Sequence, residues 1–314
     1  MKAPFTRRSL LGAAVAGTAQ LAWPYLARAA TGPLTSTTVA DGVTLLHGAG
    51  GNITAIDTAT GVVLVDCGAD VDAGPLNDWL TTKRADKPVS HVFNTHWHLD
   101  HTGCNDVFTA RGVPVIAHEN TRLWMTTDIN STWNNRVYPP RPTSFWPTDT
   151  FYYGVHELDV GADALRYGYL SQAHTDGDLY VHLPERNVIV AGGVVTDGSY
   201  PLPDYVTGGW LGGMIDSLNL LLEICDDNTI VIAAHGTPVD SKHLQAQRAM
   251  CEDVLTKISN SYYKGESYAE FLISLPTRDH DALWGEPRQF LHNAYEGVWG
   301  HITEVRRYLQ RGSR

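Results

Sequence analysis

The stretch Thr95-His96-Trp97-His98-Leu99-Asp100-His101 sets three imidazoles and one carboxylate within six residues, directly after the apolar run 89–93, which reads as a strand. Imidazole nitrogens together with one hard oxygen suit zinc, and a strand-to-loop junction aims successive side chains in different directions, so such a group can serve more than one ion. A solvated polar turn is the competing reading. Two further segments weigh against it: Ala173-His174-Thr175-Asp176 and Ala233-Ala234-His235-Gly236 each place a histidine at the end of an apolar run.

His96, His98, Asp100 and His101 match an HxHxDH signature, and on these residues the chain resembles the metallo-β-lactamase superfamily. The likeness continues in family order through Val65-Asp66-Cys67-Gly68, His174 and His235, over roughly residues 40–245. The resemblance implies an α/β fold, an αββα sandwich of two mixed β-sheets covered by helices, with metals at one edge. It also implies two Zn2+ per chain, one held by His96, His98 and His174, the other by Asp100, His101 and His235. Asp66 then braces the ligand loop. A ligating histidine needs an acceptor on its other ring nitrogen, which a strand-end aspartate can supply; an ordinary turn-capping aspartate is the alternative.

One position departs from the commonest family pattern, in which an aspartate after a short strand bridges the two metals. Here the strand over 187–191 runs into Gly192-Gly193-Val194, and Gly193 stands at the bridging position. The remaining ligand set is similar to that of metallo-β-lactamases with a histidine in the second site. A missing bridging anion leaves a metal pair more positive, which favours attack on a neutral carbonyl, or it loosens the second metal. Asp197, four residues on, is a possible substitute.

Residues 1–29 have the pattern of a cleaved export signal: the pair Arg7-Arg8, an apolar segment over 10–22, and Ala27-Arg28-Ala29 as a small-x-small cleavage site. At about 13 residues the apolar segment is short for a membrane span. The expected organisation is this twin-arginine-type signal, a metallo-β-lactamase-like domain over 30–265 and a helical extension over 266–314 packed on it. The product is then periplasmic or secreted, with no membrane association after cleavage. Because the signal holds four cations and no acid, its removal takes the formal charge from −11 to −15. That balance, without clustered Lys and Arg, disfavours nucleic acid as a partner, and the expected partner is a small-molecule substrate. The sequence carries no signal for oligomeric state. In an oxidising compartment Cys67 with Cys104, or Cys225 with Cys251, are candidate disulfides; four buried thiols are the alternative.

Glycine-rich turns and apolar runs predict strands over 44–47, 52–57 and 62–66, a helix over 73–83, helices over 105–110 and 119–126, and a strand over 113–117 between them. Strands follow over 152–158, 165–171, 179–183, 188–191 and 229–234, with helices over 211–225, 241–263 and 289–310. The stretch 127–150 holds four prolines and no clear periodicity, and a loop of that length is usually functional. Its Trp133, Tyr138, Phe145 and Trp146, with Trp97, are candidates to wall a substrate cleft, although core packing is an equally ordinary use of such rings. Arg136 and Arg141 are candidate anchors for a substrate carboxylate, and Tyr200 a candidate donor to a developing oxyanion.

The expected function is therefore an exported dinuclear zinc hydrolase that opens a cyclic amide or ester, β-lactam first and lactone or thioester next, by water activated at the metals. Asp100 is the expected catalytic residue beside Tyr200, orienting that water and passing its proton on. The alternatives are a phosphodiesterase of the same fold, a di-iron oxidoreductase, or a non-catalytic exported metal-binding protein.

Overall fold

The computed structural model describes residues 34–161 and 164–304; the expected export signal lies outside the described residues. The first half opens with four antiparallel strands, β1 Thr35–Ala40, β2 Val43–Ala49, β3 Gly51–Thr58 and β4 Gly61–Val65. Helix α1, Ala73–Lys83, crosses over to β5, Val89–Phe93, which lies parallel to β4. Two short helices, α2 Leu99–Thr102 and α3 Asn105–Thr109, lead to β6 Val115–His118 and α4 Glu119–Met125. A small hairpin of β7 Ile129–Ser131 and β8 Arg136–Tyr138 precedes β9, Asp149–Phe151, which closes a seven-stranded sheet in the order β1-β2-β3-β4-β5-β6-β9. The stretch 127–150 is thus a strand hairpin and an edge strand, elements too short to show periodicity.

The second sheet has five strands in sequence order: β10 Val155–Asp159, β11 Ala164–Leu170, β12 Asp178–Leu183, β13 Val188–Gly192 and β14 Ile230–Ala233. Helix α5, Leu211–Ile224, connects the parallel pair β13 and β14. Helix α6, Ser241–Lys264, starts on Asp240, whose carboxylate accepts from the His243 amide, and ends at Gly265 in the left-handed conformation, a cap glycine adopts at little cost. The chain continues in α7 Tyr268–Ile273, α8 Asp281–Trp284 and α9 Arg288–Gly297. Of the C-terminal helix expected over 289–310, the described residues show a ten-residue helix, α9, and a 3-10 turn at Trp299–His301, and positions 305–310 lie outside the described residues.

Alternation along the strands assembles three apolar layers. On β4, Val63 and Val65 point to the core between the sheets while Val62 and Leu64 meet Leu76 and Leu80 of α1 on the outer face. On β13, Val188 and Val190 point inward, and Ile189 and Ala191 meet α5 and α6 outside. Both strands are buried on both faces, which a period-two apolar run without polar gaps permits. The αββα sandwich is therefore formed as expected. Helices α7 to α9 add Phe271, Trp284, Phe290 and Tyr295 to the outer layer of the second sheet. No helix among the described residues is long and apolar enough to cross a membrane.

The parallel strands β4, β5, β13 and β14 all end at one edge. Asn52 of β3 ties the sheets together there: its amide N–H donates to the Ala234 carbonyl at 2.7 Å and its side chain donates to the carbonyls of Ala233 and Gly236, each at 3.0 Å.

Candidate metal centre

At this edge the loops after β5, β11 and β14 converge. His96, His98 and His174 offer one set of ligand atoms, and Asp100, His101 and His235 another, the atoms of each set lying within 4.8 Å of one another. The six residues expected as ligands are therefore brought together, in the expected two groups of three.

The outer ring nitrogens determine which nitrogens face inward. Thr95 Oγ1 donates its one proton to Asp66 Oδ2 at 2.8 Å and therefore accepts from His96 Nδ1 at 2.9 Å. His101 Nδ1 donates to the same Asp66 oxygen at 2.8 Å, His174 Nδ1 to the Leu202 carbonyl at 2.5 Å, and His98 Nε2 to Asp204 at 3.2 Å. With those protons placed outside, His96 Nε2, His98 Nδ1, His174 Nε2 and His101 Nε2 are left as lone pairs. The inner nitrogens of His98 and His174 stand 3.2 Å apart, both as acceptors, and His101 Nε2 is buried without a hydrogen-bond partner. Facing lone pairs repel, and a cation between them removes that cost; the donor set fits a divalent metal.

Electrostatics agree. Burial first, and then the neighbouring imidazoles, push His96 well below its ordinary value, and burial with His98 takes His174 down to about 3, so both rings are neutral as ligation requires. Burial alone raises Asp100, but His101, His235 and His98 outweigh it and hold the carboxylate ionised. At His101 burial opposes charge, yet Asp100 and Asp66 raise the ring to about 9. Two carboxylates around one imidazole call for a positive charge at this point, which a metal supplies in place of the proton. Asp100 Oδ2 lies 3.6 Å from His101 Nε2 and 3.3 Å from His235 Nε2.

Glycines make room for these rings. A Cβ on Gly193 would stand 2.3 Å from Cδ2 of His174, and one on Gly51 2.3 Å from Cε1 of His101. No carboxylate joins the two groups of ligands among the described residues, and Asp197, whose Oδ2 accepts from the amide and hydroxyl of Thr237, belongs to neither.

The cleft above the ligands is lined by Trp97, Leu99, Trp133, Arg136, Tyr138, Val195 and Leu202 among others. Trp97 and Tyr138 meet edge to face at 5.2 Å, and the hairpin of β7 and β8 brings Trp133 to the rim, its indole N–H donating to Asp204 at 2.8 Å. Four expected contributors are placed otherwise. Trp146 and Phe145 pack against Trp97, Met125 and Ile129, Trp146 donates to the Arg141 carbonyl, and Arg141 lies 3.8 Å over the Phe145 ring and pairs with Asp70 at 2.9 Å, so none of the three lines this cleft. Tyr200 lines it with its ring only: the hydroxyl donates to Asp281 at 2.8 Å, away from the ligands, and is not an oxyanion donor. The four cysteines are thiols, Cys67 donating to the His101 carbonyl and Asn105, and Cys104 to the Ala69 carbonyl.

Two buried aspartates escaped the sequence reading. Asp178 accepts from the amides of His174 and Thr175 at 2.6 and 2.9 Å and fixes the third ligand's backbone; its place four residues after His174 was a usable signal. Asp204, fully buried, follows Pro203 in a segment with no ligand motif, and nothing local marks it.

The sequence profile of the metallo-beta-lactamase superfamily matches residues 48–235. The lactamase-like protein nscB of Trichophyton equinum is 24% identical over 239 residues, 72% of this chain and 61% of that protein, so the match leaves more than a third of that relative uncovered. Metallo-beta-lactamase IND-1 of Chryseobacterium indologenes is 23% identical over 189 residues, 60% of this chain and 72% of its own length. Among solved structures, a metallo-beta-lactamase from Pontibacter korlensis superposes with a TM-score of 0.56 at 21% identity, over 70% of this chain and 99% of that one. With fold, ligand geometry and profile in agreement, the chain belongs to the metallo-beta-lactamase superfamily.

Proposed function

We propose that the protein is an exported dinuclear zinc hydrolase that opens a cyclic amide or ester, a β-lactam first and a lactone or thioester next. The observation that carries this reading is the pair of inward-facing ligand groups beneath a cleft walled by Trp97, Trp133 and Tyr138. Zinc bound there supplies Lewis acidity, polarising a carbonyl and making water nucleophilic at neutral pH. The chain's own groups do the rest. Indole and phenol faces hold the apolar body of a substrate, and Arg136, the one Lys or Arg among the cleft residues, meets its carboxylate. Asp100, the one carboxylate among the six ligands, would hold the metal through Oδ2 and use its other oxygen to take a proton and return it to the leaving amide or alkoxide. A single arginine and no bridging carboxylate is a poor match to a phosphodiester, which needs several cations around its oxygens. Export accords with the arginine pair and cleavage site of residues 1–29.

The test is a panel of chromogenic lactam, lactone, thioester and phosphodiester substrates on mature protein whose zinc content has been measured. Turnover of a lactam or lactone with two zinc ions per chain is expected. Cleavage of the phosphodiester alone by the two-zinc protein would replace this reading with the phosphodiesterase, and no turnover of any ester or amide would leave a metal-binding protein.

A further inference from the structure

Segment 199–207 has two proline residues, Pro201 and Pro203, and little regular structure beyond a 3-10 turn at Tyr205–Thr207, yet it takes the outer nitrogens of two ligands of one metal group. The Leu202 carbonyl accepts from His174 Nδ1, the Asp204 amide donates to the His174 carbonyl at 2.7 Å, and Asp204 Oδ2 accepts from His98 Nε2. Asp204 Oδ1 takes the Trp133 indole, so the cleft wall hangs on the same carboxylate. Prolines donate no backbone hydrogen bond, and such a segment is held by what packs behind it.

What packs behind it is the C-terminal helical region, beyond the residues matched by the superfamily profile. Asn293 of α9, fully buried, donates from Nδ2 to the Pro203 carbonyl at 3.0 Å and is itself fixed by Gln289 at 2.6 Å. The Tyr200 amide donates to the Trp284 carbonyl at 3.0 Å, its hydroxyl reaches Asp281, and its ring stacks on Phe290 at 4.8 Å. The other metal group is braced elsewhere, by Asp66 on His101 and by β14 before His235.

We propose that the C-terminal helices are a working part of one metal site: through Asn293, and through Tyr200 on α8 and α9, they position segment 199–207, which orients His98 and His174. Asn293, Tyr200 and Asp204 are positioning residues. The proposal rests on the two-zinc reading above and predicts an effect confined to one of the two ions.

The experiment is a zinc titration of the mature chain against a competing chelator, repeated with Co2+ for its ligand-field spectrum, with His98→Ala and His101→Ala marking which step belongs to which group. Asn293→Leu, which keeps the branched side-chain shape without the amide donor, and Asp204→Asn should each weaken the step lost in His98→Ala by roughly 10–100-fold, the usual effect of removing an outer partner of a ligating histidine. The step lost in His101→Ala should move by less than about threefold. Tyr200→Phe, at the other anchor, should shift the same step in the same direction by less, and serves if Asn293→Leu does not fold. Equal weakening of both steps, or of neither, overturns the proposal, since loss of general stability does not choose between ions. A parent chain that takes up no zinc fails the two-zinc reading itself, and is distinguishable because the variants then have no step to lose.

Discussion

Asp66 and His101 share a hydrogen bond of 2.8 Å from Nδ1 to Oδ2, and the same carboxylate holds the Thr95 amide with its other oxygen, also at 2.8 Å. Through Thr95 Oγ1 it reaches His96 as well, so one side chain orients a ligand in each metal group. It does so from the left-handed region, at φ +62°, where Asp and Asn are tolerated best among residues with side chains. Asp66→Asn should therefore fold but lose the acceptor that fixes both rings. Zinc affinity at both steps should fall by roughly 10–100-fold, read by competitive titration; an unchanged affinity would contradict the bracing role.

The ligand set was legible because each ligand follows an apolar strand, and strands that are buried on both faces, such as β4 and β13, announce themselves as unbroken Val, Ile and Leu. Helix α1 at Ala73–Lys83 and the start of α6 at Ser241 were readable from their spacing and cap. Strands β7, β8 and β9 have three residues each, less than two alternations, and the sequence offers no period to read there. Tyr200 shows the harder limit: a polar ring beside a predicted site can be placed near it from the chain order, but the direction of its hydroxyl depends on Asp281, 81 residues away. Asp204 is the converse, a carboxylate whose partners at His98 and Trp133 are 106 and 71 residues distant.

Gly193 is where the bridging carboxylate of many relatives is missing, and the obvious repair should fail. Its backbone conformation is open to any residue, but a Cβ there meets the His174 ring at 2.3 Å. Gly193→Asp and Gly193→Ala should both displace His174, costing about 1–3 kcal/mol as overpacking does, and release zinc from the group containing it. Thermal unfolding and zinc content of the two variants check this. Tighter zinc binding by Gly193→Asp would show that the ring yields and the carboxylate reaches the metals.

Asp253 of α6 accepts from Lys257 Nζ and from His280 Nε2, each at 2.7 Å, and so ties α6 to the start of α8. Burial pushes its carboxyl up, but these two donors outweigh burial and hold it below the ordinary value of 3.8. A carboxyl lowered on folding stabilises the protein above its unfolded value, and that contribution disappears as pH falls through the folded value. Asp253→Asn should lower stability at pH 7 by no more than about 1 kcal/mol, because the group is partly exposed. The gap between variant and parent should close below pH 3.8. Thermal unfolding of both proteins in the metal-free state across that range tests the sign, and a gap that widens in acid would reverse it.

Trp133 and Trp146 lie on the same loop with opposite consequences. Trp133 stands at the rim of the cleft over the ligands, whereas Trp146 is half-buried behind it and bonded to the Arg141 carbonyl. Contacts to the unreacting body of a substrate serve ground state and transition state alike, so Trp133→Ala should raise KM for a lactam or lactone several-fold and lower kcat less. Trp146→Ala should leave both constants within about twofold while costing about 1–3 kcal/mol of stability. Asp100→Asn, which removes the proton carrier, should leave KM nearly unchanged and reduce kcat on the order of 10²–10⁴-fold. Steady-state kinetics on the three variants, each assayed for zinc, separate these roles. A KM effect in Trp146→Ala equal to that in Trp133→Ala would mean that substrates reach under the loop, and the cleft over the ligands would then be only part of the binding site.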